Sequence, residues 1–238
     1  MSPVQESYDP GLAIAGLTKL STCDWPGHLA ATVFLQGCPW RCDYCHNPSL
    51  QACDVAGSVE WGEVLSLLDR RQGLLDAVVF SGGEPTRQPG LAQAIEQVRA
   101  KGFAVGLHTA GIYPSRLAEV MGLVDWVGLD IKALPSGYES ITGIGTSAAR
   151  AYESLDVVVE SGVDHEIRIT VDPTVHDEDH IWSLVRNLQE RGALSIVLQE
   201  VRAMGTTDAY ALTIAGRTLN DTVSTVPEGV LVRKGNLP

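Results

Sequence analysis

The sequence predicts an α/β fold, a partial (β/α)6 barrel of parallel strands, and three observations carry that expectation. Short apolar runs rich in β-branched residues recur along the chain, separated by stretches with apolar residues at helical spacing. The links between them are short, which favours parallel strands and right-handed crossovers. At 238 residues, 45% of them hydrophobic, the chain suits one large domain with a substantial core.

Six strands are expected, at 30–36, 77–80, 103–108, 126–131, 166–171 and 195–199. Each is short and mostly apolar, as strands buried on both faces should be. Between them, Trp61, Val64, Leu65 and Leu68 recur at i, i+3, i+4 and i+7, and Leu91, Ile95 and Val98 repeat the pattern more loosely. Residues 148–160 and 181–189 carry further apolar faces. Asp177, Glu178 and Asp179 put negative charge at the start of the second of these helices, where the peptide dipoles favour it. From Asp208 onward comes a helix-like stretch, then a last apolar run, Val230-Leu231-Val232, whose place the sequence leaves open. In a barrel of this kind the chemistry gathers at the C-terminal ends of the strands.

The net charge is −12, from 17 basic and 29 acidic residues, with no basic run to track a phosphate backbone. Nucleic acid is therefore not an expected partner. The N-terminus lacks a signal pattern and no apolar run reaches the length of a membrane span, so a cytoplasmic protein with no membrane association is expected. Five cysteines, three of them clustered, argue for metal or redox work rather than a disulfide framework.

Those three, Cys38, Cys42 and Cys45, form a C-x3-C-x2-C run directly after the first predicted strand. Three thiolates can hold a metal centre and leave a coordination position open for chemistry. His46 follows at once and offers a fourth ligand for a structural zinc; Cys23 and Cys53 lie apart from the run. A second signal, Ser81-Gly82-Gly83-Glu84-Pro85, follows the strand at 77–80, where two glycines let the backbone pass close to a ligand. By itself that pentapeptide is also an ordinary turn. A third is Arg168 on the strand at 166–171: a guanidinium among apolar neighbours needs an anionic partner, whether a ligand or a nearby carboxylate.

The spacing Cys38-Pro-Trp-Arg-Cys42-Asp-Tyr44-Cys45 resembles the cluster loop of the radical S-adenosylmethionine (SAM) superfamily, and Gly82-Gly83-Glu84-Pro85 resembles its GGEP motif. The resemblance covers about residues 12–202 of a single domain spanning 1–238, leaving 203–238 as a C-terminal extension. It implies that Cys38, Cys42 and Cys45 hold three irons of a 4Fe–4S cluster whose fourth iron is chelated by SAM. Reductive cleavage of SAM then gives methionine and a 5′-deoxyadenosyl radical, with the protein binding, orienting and shielding. It further implies that Tyr44 packs near the adenine and that Gly82, Gly83 and Glu84 meet the SAM amino group. Thr109, Gly111, Asp130 and Lys132 would lie around its methionine end, and Arg168 near its ribose or carboxylate. His108 stands where the family has Asp, and Ala110 where it has Asn; an imidazole is a poor ligand for a hard alkali cation, so whether a cation sits beside SAM stays open, as does a plain packed or solvent-facing His108.

Gly16-Leu17-Thr18-Lys19-Leu20, Asp24-Trp25-Pro26-Gly27 and Cys45-His46-Asn47 resemble the glycyl-radical enzyme activating subgroup, and by layout the activating proteins of anaerobic ribonucleoside-triphosphate reductase. That implies hydrogen abstraction from a glycine Cα of a partner enzyme. Asp24 matches the position that contacts the partner's glycine loop, although an Asp before Trp-Pro-Gly is also a common turn former. With no further cysteine motif, electrons are expected from an external flavodoxin or ferredoxin. Three rivals stand beside this reading. One is a small-molecule enzyme like the 7-carboxy-7-deazaguanine synthases, in which Asp-Thr usually follows the third cysteine. The others are a zinc-binding interaction module on Cys38, Cys42, Cys45 and His46, and a plain iron–sulfur electron carrier.

Overall fold

The structure, a computed structural model, describes residues 9–226 and 228–234. Eight strands form one sheet in sequence order. β1 (Ile14–Ser21) pairs antiparallel with β2 (Ala30–Leu35). β3 (Ala77–Gly82), β4 (Ala104–Thr109), β5 (Trp126–Asp130), β6 (Asp164–Val171), β7 (Ile196–Glu200) and β8 (Val230–Arg233) then follow in parallel. The six strands read from the sequence are β2 to β7. The last apolar run is β8, a seventh parallel strand beside β7, and β1 was not foreseen. The crossovers carry α1 (Trp61–Arg70), α2 (Leu91–Ala100), α3 (Pro114–Val120), α4 (Tyr138–Thr142), α5 (Ser147–Ser161) and α6 (Glu178–Glu190), with α7 (Asp208–Thr213) in the tail.

Local chemistry sets these boundaries. At the start of α1, Glu60 and Glu63 cap each other's backbone N–H groups. At α6, Asp177 is the cap itself, accepting from the His180 N–H at 2.8 Å, with Glu178 and Asp179 in the first turn. Gly162, at φ +71°, ends α5 in the left-handed conformation that only glycine adopts freely.

The two faces of the sheet differ more than the apolar runs suggest. One set of alternate residues, including Val33, Leu35, Val78, Phe80, Leu107, Val127, Leu129, Ile167, Ile169 and Leu198, is buried in the main core with the helices. The other set faces the barrel interior and turns polar toward the C-terminal ends of the strands, with Thr32, Ser81, His108, Asp130, Arg168, Thr170, Gln199 and Arg233. The strands are buried on both faces, as expected, but the inner face turns polar toward their C-terminal ends, where it lines a site. At the N-terminal end of the strands Trp25 stacks on Trp126, centroids 5.6 Å apart, and joins Ala30, Ala77 and Val79 in a small apolar layer. This layer closes the barrel floor. Across β7, Arg233 reaches Glu166 with two parallel hydrogen bonds of 2.9 Å, and the Glu166 side chain is only 6% exposed.

Buried His176 ties the segment after β6 to that after β5: Nε2 donates to the Lys132 carbonyl and Nδ1 accepts from the Asp172 N–H, both at 3.0 Å. Burial pushes its pKa below the ordinary value. The unfolded chain takes up a proton near about 6.5, and the folded chain resists it until lower pH. This contribution to stability is whole above that value and is lost as pH falls through the folded one. Denaturant midpoints measured at pH 7 and pH 5 should therefore drop on acidification, and drop less in His176→Gln.

Candidate active site

The cysteine loop begins where β2 ends, and two buried glutamines fasten its base. The Gln36 amide donates to the carbonyls of Ser49 (3.2 Å) and Ala52 (2.9 Å). Gln88 donates to the carbonyls of Gln36 and Ala13, both at 3.0 Å, and accepts from the Ala13 N–H at 2.8 Å. Further along, Trp40 packs edge-on against Tyr138 at 5.9 Å, the Arg41 N–H donates to the Thr142 carbonyl (2.9 Å), and the Cys45 N–H turns back to the Cys42 carbonyl (3.1 Å). All five cysteines are free thiols. Cys38, Cys42 and Cys45 line one cavity of about 540 Å³, which Cys23 also touches and Cys53 does not. Burial pushes the Cys38 thiol up to about 12 and raises Cys42 as well, so iron must displace protons to bind.

Gly82 and Gly83 line the same cavity, and their absent side chains have a structural reason. Gly82, at φ +113°, would drive a Cβ into the backbone of Leu35, and a Cβ on Gly83 would lie 2.5 Å from the Gly37 carbonyl oxygen. The glycines let β3 and the cysteine loop touch, with the Gly83 N–H on the Leu35 carbonyl (2.8 Å) and the Glu84 N–H on the Gly37 carbonyl (2.9 Å). Glu84 itself is fully buried behind the cavity wall. Its Oε1 accepts from the Thr86 N–H (3.0 Å), the Thr86 hydroxyl (2.6 Å) and the Thr109 hydroxyl (2.7 Å), and its Oε2 accepts from the Ala110 N–H (3.0 Å). Thr109, named from the sequence for the cofactor, therefore spends its hydroxyl on Glu84 and receives the Gly111 N–H at 3.0 Å.

Asp130, Lys132 and Arg168 come together on one wall of the cavity. Arg168 Nε donates to Asp130 Oδ1 at 2.7 Å, and its Nη2 donates to the Gly128 carbonyl at 3.2 Å. A Cβ on Gly128 would lie 2.9 Å from the guanidinium, so that glycine makes the seat. Lys132 Nζ lies 3.9 Å from Asp130 Oδ2 and 5.2 Å from the centre of the Tyr44 ring. Burial would raise the Asp130 carboxyl, but Arg168 and Lys132 outweigh it and hold it below the usual range. Burial likewise opposes the Lys132 ammonium, yet the groups facing it, Tyr44, Cys42 and Asp130, keep its pKa well above normal. Arg168 thus has its carboxylate partner and lines the cavity as well. Asp24 lies at the other end of the cavity, its Oδ2 taking the Thr32 hydroxyl at 2.5 Å.

The sequence profile of the Radical SAM superfamily matches residues 32–185, the segment that holds this cysteine loop, the Gly-Gly-Glu turn and Arg168. The chain belongs to the radical SAM superfamily. Radical SAM enzymes use a 4Fe–4S cluster and SAM. A pyruvate formate-lyase-activating enzyme of Clostridium pasteurianum is 35% identical over 189 residues, 74% of this chain and 77% of the relative. A 7-carboxy-7-deazaguanine synthase of Methanopyrus kandleri is 30% identical over 218 residues, 83% of this chain and 81% of the relative. Among solved structures, Streptococcus suis SuiB bound to precursor peptide SuiA matches with a TM-score of 0.58 at 12% identity, over 83% of this chain but only 47% of SuiB; the likeness is one of fold.

The residues present fit the radical SAM cofactors. Three thiols face one cavity, yet among the described residues no three His, Cys, Asp or Glu side chains draw close enough to share a single metal ion. Three thiols of one loop on one cavity give a cluster its three protein ligands and leave one iron open for SAM. His46, the fourth ligand of the zinc reading, uses Nε2 to accept the Arg202 N–H at 3.1 Å, which latches the loop after β7 to the cysteine loop. Among the described residues no helix is long and apolar enough to cross a membrane.

Proposed function

We propose that this radical SAM enzyme activates a glycyl-radical enzyme, and that its partner is an anaerobic ribonucleoside-triphosphate reductase. The observation that carries this reading is a single cavity with a thiol triad at the cysteine loop and the Asp24 carboxylate on its floor, in a chain 35% identical to a pyruvate formate-lyase-activating enzyme. Cys38, Cys42 and Cys45 would hold the cluster. Tyr44, Gly82, Gly83, Thr109, Asp130, Lys132 and Arg168 would surround SAM, with Glu84 shaping that surface from behind. When bound and given one electron, the cluster and SAM would supply methionine and a 5′-deoxyadenosyl radical, and hydrogen-atom transfer from the partner's glycine would give 5′-deoxyadenosine and a glycyl radical. The protein's own part is to bind and aim. The Asp130, Arg168 and Lys132 wall offers fixed charge to a zwitterionic ligand. Asp24 would accept a backbone N–H of the glycine-bearing segment, and only glycine lets a backbone enter so tight a site. Electrons would come from a flavodoxin or ferredoxin in the cytoplasm.

The test is glycyl-radical formation. Anaerobically reconstituted, reduced enzyme is mixed with SAM and purified reductase, and the glycyl doublet is counted by electron paramagnetic resonance. Asp24→Ala should lose about tenfold or more of radical formation while losing less of uncoupled SAM cleavage. Equal losses would remove Asp24 from partner binding. The Methanopyrus kandleri relative supports a second reading, a small-molecule enzyme of the deazaguanine type. Release of a deazaguanine product with no glycyl radical would favour it; His46-Asn47, where Asp-Thr usually follows the third cysteine in that group, stands against it.

A further inference from the structure

His108 takes no part in the reading so far, yet it joins three elements at the cavity. It sits near the end of β4 and lines the cavity. Its Nε2 donates to the backbone carbonyl of Asp24 at 2.6 Å, and its Nδ1 receives the Ser81 hydroxyl at 3.2 Å. Its ring meets Trp126 edge-on at 5.6 Å. Both nitrogens are thus committed, and a carbonyl can only accept, so the proton must sit on Nε2. Burial first, and then the charge of Arg168, lower the His108 pKa and oppose a second proton there.

The Asp24 turn needs such a tether. Residues 22–29 join β1 to β2, and Thr22, Cys23, Pro26, Gly27 and Leu29 are exposed. Asp24 is held at three points: its N–H on the Ser21 hydroxyl (3.2 Å), its Oδ2 on the Thr32 hydroxyl (2.5 Å) and its carbonyl on His108. Ser21 and Thr32 belong to β1 and β2, the strands the turn already connects. Of the three, His108 alone holds Asp24 from a strand outside that hairpin, β4, one residue before Thr109, which braces Glu84, while neighbouring Trp25 stacks on Trp126 of β5. Asp24 Oδ1 receives no hydrogen bond from the described residues, which leaves it to accept a donor from a substrate.

We propose that His108 is a positioning residue that anchors the Asp24 carbonyl so that the Asp24 carboxylate meets a backbone N–H of the glycine-bearing substrate segment. This rests on the activating-enzyme reading and deepens it. The test compares reconstituted wild type with His108→Leu, which removes the donor, and His108→Gln, whose amide can reach the same carbonyl. The probe is purified anaerobic ribonucleoside-triphosphate reductase, titrated against glycyl-radical yield. His108→Leu should raise the KM for the reductase about tenfold more than it changes the KM for SAM, and His108→Gln should recover all but about threefold. In an Asp24→Ala background, His108→Leu should add almost nothing, because both act through one side chain.

Parallel rises in both KM values, failure of Gln to rescue, or additive effects in the double variant would each overturn the role. Amide hydrogen exchange over residues 22–29 supplies an independent reading, faster in Leu and restored in Gln; unchanged exchange overturns the tether even if kinetics shift. A wild-type enzyme that makes no glycyl radical would instead refute the partner reading and the role built on it, while the exchange data still decide the tether.

Discussion

Cys42→Ala should abolish SAM cleavage and leave the fold standing. Cys42 is partly buried, packs against the main core and contributes no hydrogen bond from its side chain. Its backbone carbonyl, which closes the turn to the Cys45 N–H, survives the substitution. The expected loss of stability is that of one small buried sulfur, about 1 kcal/mol. The loss of chemistry is total because two thiolates cannot hold a cluster that needs three with one iron left for SAM. Iron and sulfide per chain, 5′-deoxyadenosine release and the thermal melt read these consequences separately. A variant that still cleaves SAM would sink the cluster assignment; one that unfolds would show the thiol to be structural.

Glu84→Ala should behave in the opposite way, failing through structure. One carboxylate receives four donors from three residues behind the cavity wall. Truncation leaves those donors buried and unmatched, at a cost of about 3–5 kcal/mol. In a chain of this size that lowers the melting temperature by on the order of 10 °C. Glu84→Gln keeps an acceptor for the threonines but turns an amide N–H toward the Ala110 N–H, so about 1–3 kcal/mol is expected there. Calorimetry on protein without cluster or SAM isolates the effect. A melt within a degree or two of wild type for Glu84→Ala would mean that Glu84 contributes through SAM and not through the wall.

Much of this was legible in the sequence, and the exceptions have physical causes. β2 to β7 announced themselves because one face of each is packed under helices. β1 escaped because its pairing with β2 slips at Ile14/Gly16 and Thr18/Ser21, which breaks the two-residue rhythm that reveals a half-buried strand. α3 and α4, of seven and five residues, are too short for a helical period to show. Val230–Val232 read only as an apolar run, because its neighbour is 34 residues away, as in Ile196 against Val230, and nothing local names it. At the site, the cysteines and the Gly-Gly-Glu-Pro turn were readable as spacing. Gln36, Gln88 and Gly128 were not, since an amide that fastens a loop or a glycine that seats a guanidinium is defined only by what lies opposite. Arg168 and Asp130 were each picked out for a cofactor, and their pairing with each other emerged only in three dimensions.

The ion pair between Arg233 and Glu166 gives the tail a keystone's place in the barrel. The profile match ends at residue 185, well short of Arg233, yet a chain stopped before Val230 would bare the edge of β7 and strand a carboxylate that is 6% exposed with no countercharge. The segment the profile matches is therefore less than the sheet: β1 lies before it, and among the described residues the wall beside Glu166 is completed by β8.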